Sequence, residues 1–205
     1  MAIPTITVYT DYKSPYAFIA KAPTYQLEER FEVQLEWLPY TLNIESYLGS
    51  VDSRDEHQWR KVRYGYMDAR RLANRQGLTL KGPQRIFNAY YASVGMLFAK
   101  HHDFFRAYND AVFERFWRRE LDVDSLEAIS EVIVGFGGDS HAFREYAEGA
   151  GRVEHDEIRK YAESIGVFGV PTFVLDGELF FGGDRLDLLM ERLRERGIAE
   201  KISAE

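Results

Sequence analysis

The chain has 205 residues, 45% of them hydrophobic, a formal net charge of −7 and no cysteine. That length supports one sizeable core, or one core with an inserted second lobe, and the acidic balance opposes nonspecific nucleic-acid binding, which depends on neutralising phosphates. Without cysteine there is no disulfide, no thiolate metal site and no protein-borne thiol nucleophile, so sulfur chemistry here requires a thiol supplied by a bound cofactor. "MAIPTITVYT" lacks the positive start and apolar run of a signal peptide, and no stretch is apolar enough to span a bilayer. A cytoplasmic location with no membrane partner is therefore the default expectation.

Ile3 to Tyr9 alternates β-branched residues and reads as a strand. Ser14 followed by Pro15 is a helix entrance, serine as cap and proline at the first helical position. Phe18, Ala22 and Tyr25 share a face of that helix, and Pro23 predicts a kink within it. Val33 to Pro39 alternates again, completing a strand–helix–strand unit of the kind that makes a right-handed parallel crossover. From there the pattern turns helical: a charged helix from about Asp52 to Gly77, a turn at "KGPQR", then an aromatic helix from Ile86 to Lys100. Further helices are expected at Phe104 to Arg119, Asp124 to Phe136 with Asp124 as cap, Ser140 to Glu148, and Val153 to Ile165.

The stretch Gly166 to Arg185, "GVFGVPTFVLDGELFFGGDR", returns to strand character. A residue without an N–H is excluded from a strand interior, so Pro171 must open the strand Thr172 to Leu175. If the Val170–Pro171 bond is cis, the backbone groups of Val170 are left outside the ladder, free to pair with an extended peptide-like ligand; an ordinary trans proline at a strand edge is the alternative. Asp176-Gly177 is a hairpin turn. Asp184 then reads as the cap of a last helix carrying Leu186, Leu189, Met190 and Leu193 on one face and stopping at Gly197. Strands thus sit at both ends and helices in the middle. The fold class is α/β: one domain from residues 1–41 and 167–205, interrupted by an all-helical insertion over 42–166.

Several residues have plain structural readings. Ser14 and Asp184 both serve as helix caps, and Ser53 with Arg54 reads as another helix start. The aromatic series Phe87, Tyr90, Tyr91, Phe98, Phe104, Phe105, Phe113, Phe116 and Trp117 reads as core of the helical lobe, with a few members available to line a site for a planar substrate. Asn43 and Asn88 are polar residues near the expected cleft, suited to orienting a substrate carboxylate or hydroxyl. His101-His102-Asp103 lacks the spacing that puts two imidazoles on one helical face, so no metal site is expected. His155-Asp156-Glu157 reads as part of a solvated helix.

"D-Y-K-S-P-Y-A" after the first strand and the late "G-V-F-G-V-P-T-F … F-F-G-G-D-R-L" resemble the 2-hydroxychromene-2-carboxylate isomerases and kappa-class glutathione transferases. These have a thioredoxin-like fold with an inserted helical domain, as in the periplasmic disulfide oxidoreductases. The resemblance covers nearly the whole chain in order of elements and is specific around Ser14-Pro15 and from Gly169 to Leu186. It implies a cis Pro171, glutathione as cofactor, a small aromatic substrate and a homodimer. Ser14 would take the place of the first cysteine of a redox relative and lie beside the glutathione sulfur as the catalytic residue. Val170 and Pro171 would bind the tripeptide backbone, and Gly183, Asp184 and Arg185 its γ-glutamyl end. Ser53 would also contact the glutathione; it stands where the family usually has an asparagine ahead of an Arg-Asp pair, and Gly183 where the family has a longer polar residue. A kappa-like transferase and a non-catalytic peptide-binding module are the alternative functions.

Overall fold

Residues 3–201 are described by the computed structural model of the chain. The β-branched alternation at the start forms strand β1 (Thr5–Thr10), which buries Ile6 and Val8. Helix α1 (Pro15–Arg30) follows and continues through Pro23. Strand β2 (Gln34–Pro39) pairs parallel with β1, Ile6 opposite Leu35 and Val8 opposite Trp37. The chain then runs through α2 (Ile44–Leu48), α3 (Glu56–Arg75), α4 (Tyr90–His101), α5 (Phe105–Trp117), α6 (Leu126–Gly135), α7 (Ser140–Glu148) and α8 (Ala150–Ser164). Strands β3 (Thr172–Leu175) and β4 (Glu178–Phe181) close a sheet of order β2-β1-β3-β4, with β1/β3 and β3/β4 antiparallel. Asp176 (φ 49°) and Gly177 (φ 83°) both lie at positive φ, as a two-residue hairpin of the primed type requires. Helix α9 (Leu186–Glu195) ends the fold.

Several helix starts differ from expectation, each for a local reason. The charged helix begins at Glu56 rather than Asp52, because Asp55 and Gln58 form a reciprocal capping box (2.7 and 2.9 Å) and Val51–Ser53 is a separate 3-10 turn. The aromatic helix begins at Tyr90 rather than Ile86. Its expected first residues are diverted: the Asp124 carboxylate accepts the N–H groups of Asn88 (2.9 Å) and Ala89 (2.6 Å), and Ala89 sits at φ 62°. Asp124 is consequently not the cap of α6; the Ser125 hydroxyl is, accepting from the Ala128 N–H. Helix α8 begins at Ala150, three residues before Val153, since Gly149 ends α7 and opens α8 at once.

Two apolar clusters lie on the sheet. One joins Ile6, Val8, Leu35, Trp37, Phe173 and Leu175 to Leu27 of α1, Phe31 just after it, and Leu186, Leu189 and Leu193 of α9. The other joins Tyr9, Tyr12 and Phe18 to Phe98, Phe113, Phe116 and Trp117. The aromatic series is therefore core, with Phe87, Tyr90, Tyr91, Phe104 and Phe105 half-buried at its margin. The helical core is continuous with the start of α1, so the helices are welded to the sheet end that carries Ser14. Gly95 lets α4 approach α5: a Cβ there would lie 2.8 Å from Tyr108 Cζ and 3.0 Å from Ile129 Cγ2. Gly95→Ala is expected to cost about 1–3 kcal/mol by overpacking, read as a lower urea midpoint at unchanged m.

His155 is a correction to the sequence reading. It is not solvated but 4% exposed, with Nε2 at 2.8 Å from Thr41 Oγ1, which lies 3.0 Å from Ser93 Oγ. The loop after β2, α4 and α8 are thereby tied together. Burial holds the His155 imidazole below its ordinary pKa, opposed by Asp156 and Asp11 and aided by Arg159. The folded protein thus resists a proton that the unfolded chain accepts near the ordinary value of 6.5. Stability is fully present above that pH and declines as pH falls through it, levelling only below the depressed folded-state pKa. Thermal melts across this range are expected to show the slope in the native protein and a shallower one in His155→Gln.

Candidate functional site

The site is built where the first turn of α1 meets the segment entering β3. Ser14 has extended backbone (φ −85°, ψ 116°), and its hydroxyl accepts from the Ala17 N–H at 3.2 Å. Its hydroxyl proton points to the Val170 carbonyl, 3.4 Å away. The Val170–Pro171 peptide bond is cis. Two positions 156 residues apart in sequence are thus in contact. The segment is fixed on both sides: Thr172 Oγ1 donates to the Gly169 carbonyl (2.7 Å) and the Gly182 N–H to the Pro171 carbonyl (2.8 Å). Among the described residues the Val170 N–H has no hydrogen-bond partner. Ser14 itself is 5% exposed. Phe168 and Phe181, 62% and 43% exposed, pack ring to ring at 4.5 Å beside this segment, with the Phe181 ring over Gly169.

The other expected site residues divide. Gly183 packs on α1, where a Cβ would lie 3.0 Å from Ala20 Cβ, so a longer residue there requires α1 to give by a few tenths of an ångström. Asp184 and Arg185 lie exposed on a 3-10 turn (Gly183–Arg185) and pair with each other at 2.9 Å. Asp184 is not the helix cap: the extra turn carries the chain to Leu186 before α9 begins, and Arg185 occupies the cap position without a side-chain bond. Ser53 is exposed, its hydroxyl 2.8 Å from Ser50 Oγ, and the structure shows no contact from it to Ser14. Asn43 caps α2 through its side-chain oxygen, which accepts from the Ser46 N–H (3.2 Å). Asn88 presents an exposed side chain and an engaged backbone. A surface groove of about 250 Å³ lies along α1 and α9, lined by residues that include Pro23, Arg30, Gly183 and Met190, away from the Ser14 hydroxyl.

Sequence reasoning passed over Asp11 and Lys13. Their side chains are 0% and 5% exposed and form an ion pair at 2.7 Å. Asp11 also accepts from the backbone N–H groups of Lys13 (3.1 Å), Leu42 (2.7 Å) and, through its own carbonyl, Ser14 (3.0 Å). Two opposite charges just ahead of a helix cap were the only signal, and surface pairs of that spacing are common. No group of three or more His, Cys, Asp or Glu is placed to hold a metal among the described residues, and no helix there is long and apolar enough to cross a membrane.

A sheet with β1 and β2 parallel, a cis proline opening β3, and a helix aimed at that proline are the marks of one domain type. Residues 5–194 match the DSBA-like thioredoxin domain. The chain belongs to this family. Among DSBA-like proteins it is 26% identical over 187 residues to the 2-hydroxychromene-2-carboxylate isomerase of Sphingobium xenophagum, covering 90% of this chain and 95% of that one. It is 27% identical to the enzyme of that name from Pseudomonas putida, covering 90% and 91%. A solved 2-hydroxychromene-2-carboxylate isomerase superposes with a TM-score of 0.78 at 25% identity, over 94% of this chain and 97% of that one. A probable DsbA oxidoreductase from Streptomyces coelicolor shares the fold, with a TM-score of 0.75 at 18% identity and coverage of 98% and 94%. The thioredoxin-like fold with helical insertion, and the resemblance to the isomerases, are thus borne out.

Proposed function

We propose that this protein is a glutathione-dependent isomerase of the 2-hydroxychromene-2-carboxylate type. The observation that carries the reading is the Ser14 hydroxyl, set at the start of α1 with its proton donated over a long 3.4 Å to the carbonyl before cis Pro171, in a DSBA-like chain without cysteine. The residues fit a thiol tripeptide. Among the described residues the Val170 N–H is unpartnered and free to donate to a carbonyl of an extended peptide, and the Ser14 proton is held by a bond long enough to be exchanged. Val170 and Pro171 would hold the peptide backbone, and Asp184 with Arg185 its charged end.

Glutathione held by Val170 and Pro171 would supply a nucleophilic sulfur for reversible addition to a conjugated carbon, the chemistry by which a double bond can turn as a single one. The chain's task is to keep that sulfur ionised. A free thiol titrates near pH 8.5, and lowering this by about two units requires about 2.7 kcal/mol of preference for the anion. The N-terminus of the 16-residue α1 contributes about 0.3–1 kcal/mol, towards 2 when partly buried. The Ser14 hydroxyl adds about 1.5–3 kcal/mol by donating to a charged acceptor while it continues to accept from the Ala17 N–H. Together the two effects suffice; neither does so comfortably alone. The Phe168–Phe181 pair offers apolar surface to a planar substrate.

Purified protein is expected to convert 2-hydroxychromene-2-carboxylate, followed by absorbance, at a rate that depends on glutathione while total glutathione stays constant. Stoichiometric consumption of glutathione would assign a transferase instead, and absence of glutathione binding would remove the reading altogether.

A further inference from the structure

The residue before Ser14 reaches across to the helical region. Lys13 Nζ donates to the Asn88 carbonyl at 2.8 Å while pairing with Asp11 at 2.7 Å. A buried charge is costly unless its partners are well placed, and an apolar side chain would fill the same space without that cost. What the charge adds here is a connection. The segment that it grips, just before α4, is the one diverted from helix, and it is gripped from the other side too. Asp124 accepts the N–H groups of Asn88 and Ala89, and Arg85 pairs with Asp124 at 2.6 Å. Phe87, half-buried against Phe116, and the exposed side chain of Asn88 are carried on this segment. One lysine side chain therefore sets how far they stand from the Ser14 turn.

We infer that Lys13 is a positioning residue: through the Asn88 carbonyl it holds the segment 85–89, close to the Ser14 turn, as the wall against which the aromatic substrate is seated. The inference rests on the function proposed above and adds the determinant of second-substrate binding. Lys13 Nζ is engaged by Asp11 and the Asn88 carbonyl, so its effect falls on KM for the aromatic substrate and spares glutathione affinity.

The test compares Lys13→Met, Lys13→Arg and Asp124→Asn by steady-state kinetics, glutathione titration and amide hydrogen exchange. Lys13→Met is expected to raise KM for 2-hydroxychromene-2-carboxylate about tenfold or more, the scale of one lost charge-assisted bond, with kcat and glutathione affinity within about threefold. Lys13→Arg should recover part of the loss, and exchange at Asn88 and Ala89 should quicken in Lys13→Met. If Lys13→Met does not fold, Asp124→Asn loosens the same wall from the far side and must raise the same KM. Unchanged KM, an equal fall in kcat and glutathione affinity, or unchanged exchange at Asn88 and Ala89 overturns the inference. Native protein that binds no glutathione overturns the proposed function instead, and the exchange comparison still decides whether Lys13 holds the segment.

Discussion

Ser14→Gly is expected to lower kcat/KM by about 10- to 150-fold while costing only a few tenths of a kcal/mol in stability. The separation follows from the two bonds of one hydroxyl. As a cap, it satisfies the Ala17 N–H, and glycine is nearly as good at that position. As a donor, its proton is committed only to the Val170 carbonyl at 3.4 Å, and a thiolate in its place would gain a charge-assisted bond that glycine lacks. A stability loss without a rate loss would leave Ser14 as a cap and nothing more. The measurement is a pair of curves, initial rate against substrate and urea unfolding, on the same preparations.

Asp11→Ala is expected to destabilise the fold by about 3–5 kcal/mol, the largest single loss anticipated away from the apolar core. Its carboxylate is wholly buried and serves the Lys13 ammonium together with the N–H groups of Lys13 and Leu42. Removing it leaves a buried cation with only the Asn88 carbonyl, and leaves two backbone donors without partners. The double variant Asp11→Ala/Lys13→Met should be less destabilised than Asp11→Ala alone, because the unpaired charge is gone. Additive losses in a double-mutant cycle of urea unfolding would show that the pair does not act as a unit.

The parts of this molecule that were legible in the sequence are those set by local chemistry. A proline fixed where β3 must open, an Asp-Gly pair closed the hairpin, and Ser-Pro marked the start of α1. The resemblance then joined Ser14 to Val170 across most of the chain. What was not legible depends on partners distant in sequence. Nothing local says that Ala89 will take a positive φ, because the cause is a carboxylate 35 residues on. His155 looked solvated because its partners, Thr41 and Ser93, arrive from other elements. Gly183 looked like a lost polar contact, whereas its role is the close approach to Ala20. Lys13 is hidden for the same reason: a lysine beside a cap reads as surface until the fold closes over it.

On the proposed function, α1 and the Ser14 hydroxyl lower the pKa of a visiting thiol. A pH titration of the ultraviolet thiolate absorbance of glutathione, bound to the native protein and to Ser14→Gly, measures it directly. The expected result is a bound thiol titrating about two units below the free value of about 8.5, with most of that depression lost in Ser14→Gly. A bound thiol that titrates as it does in free solution, or one equally depressed in both proteins, would contradict it.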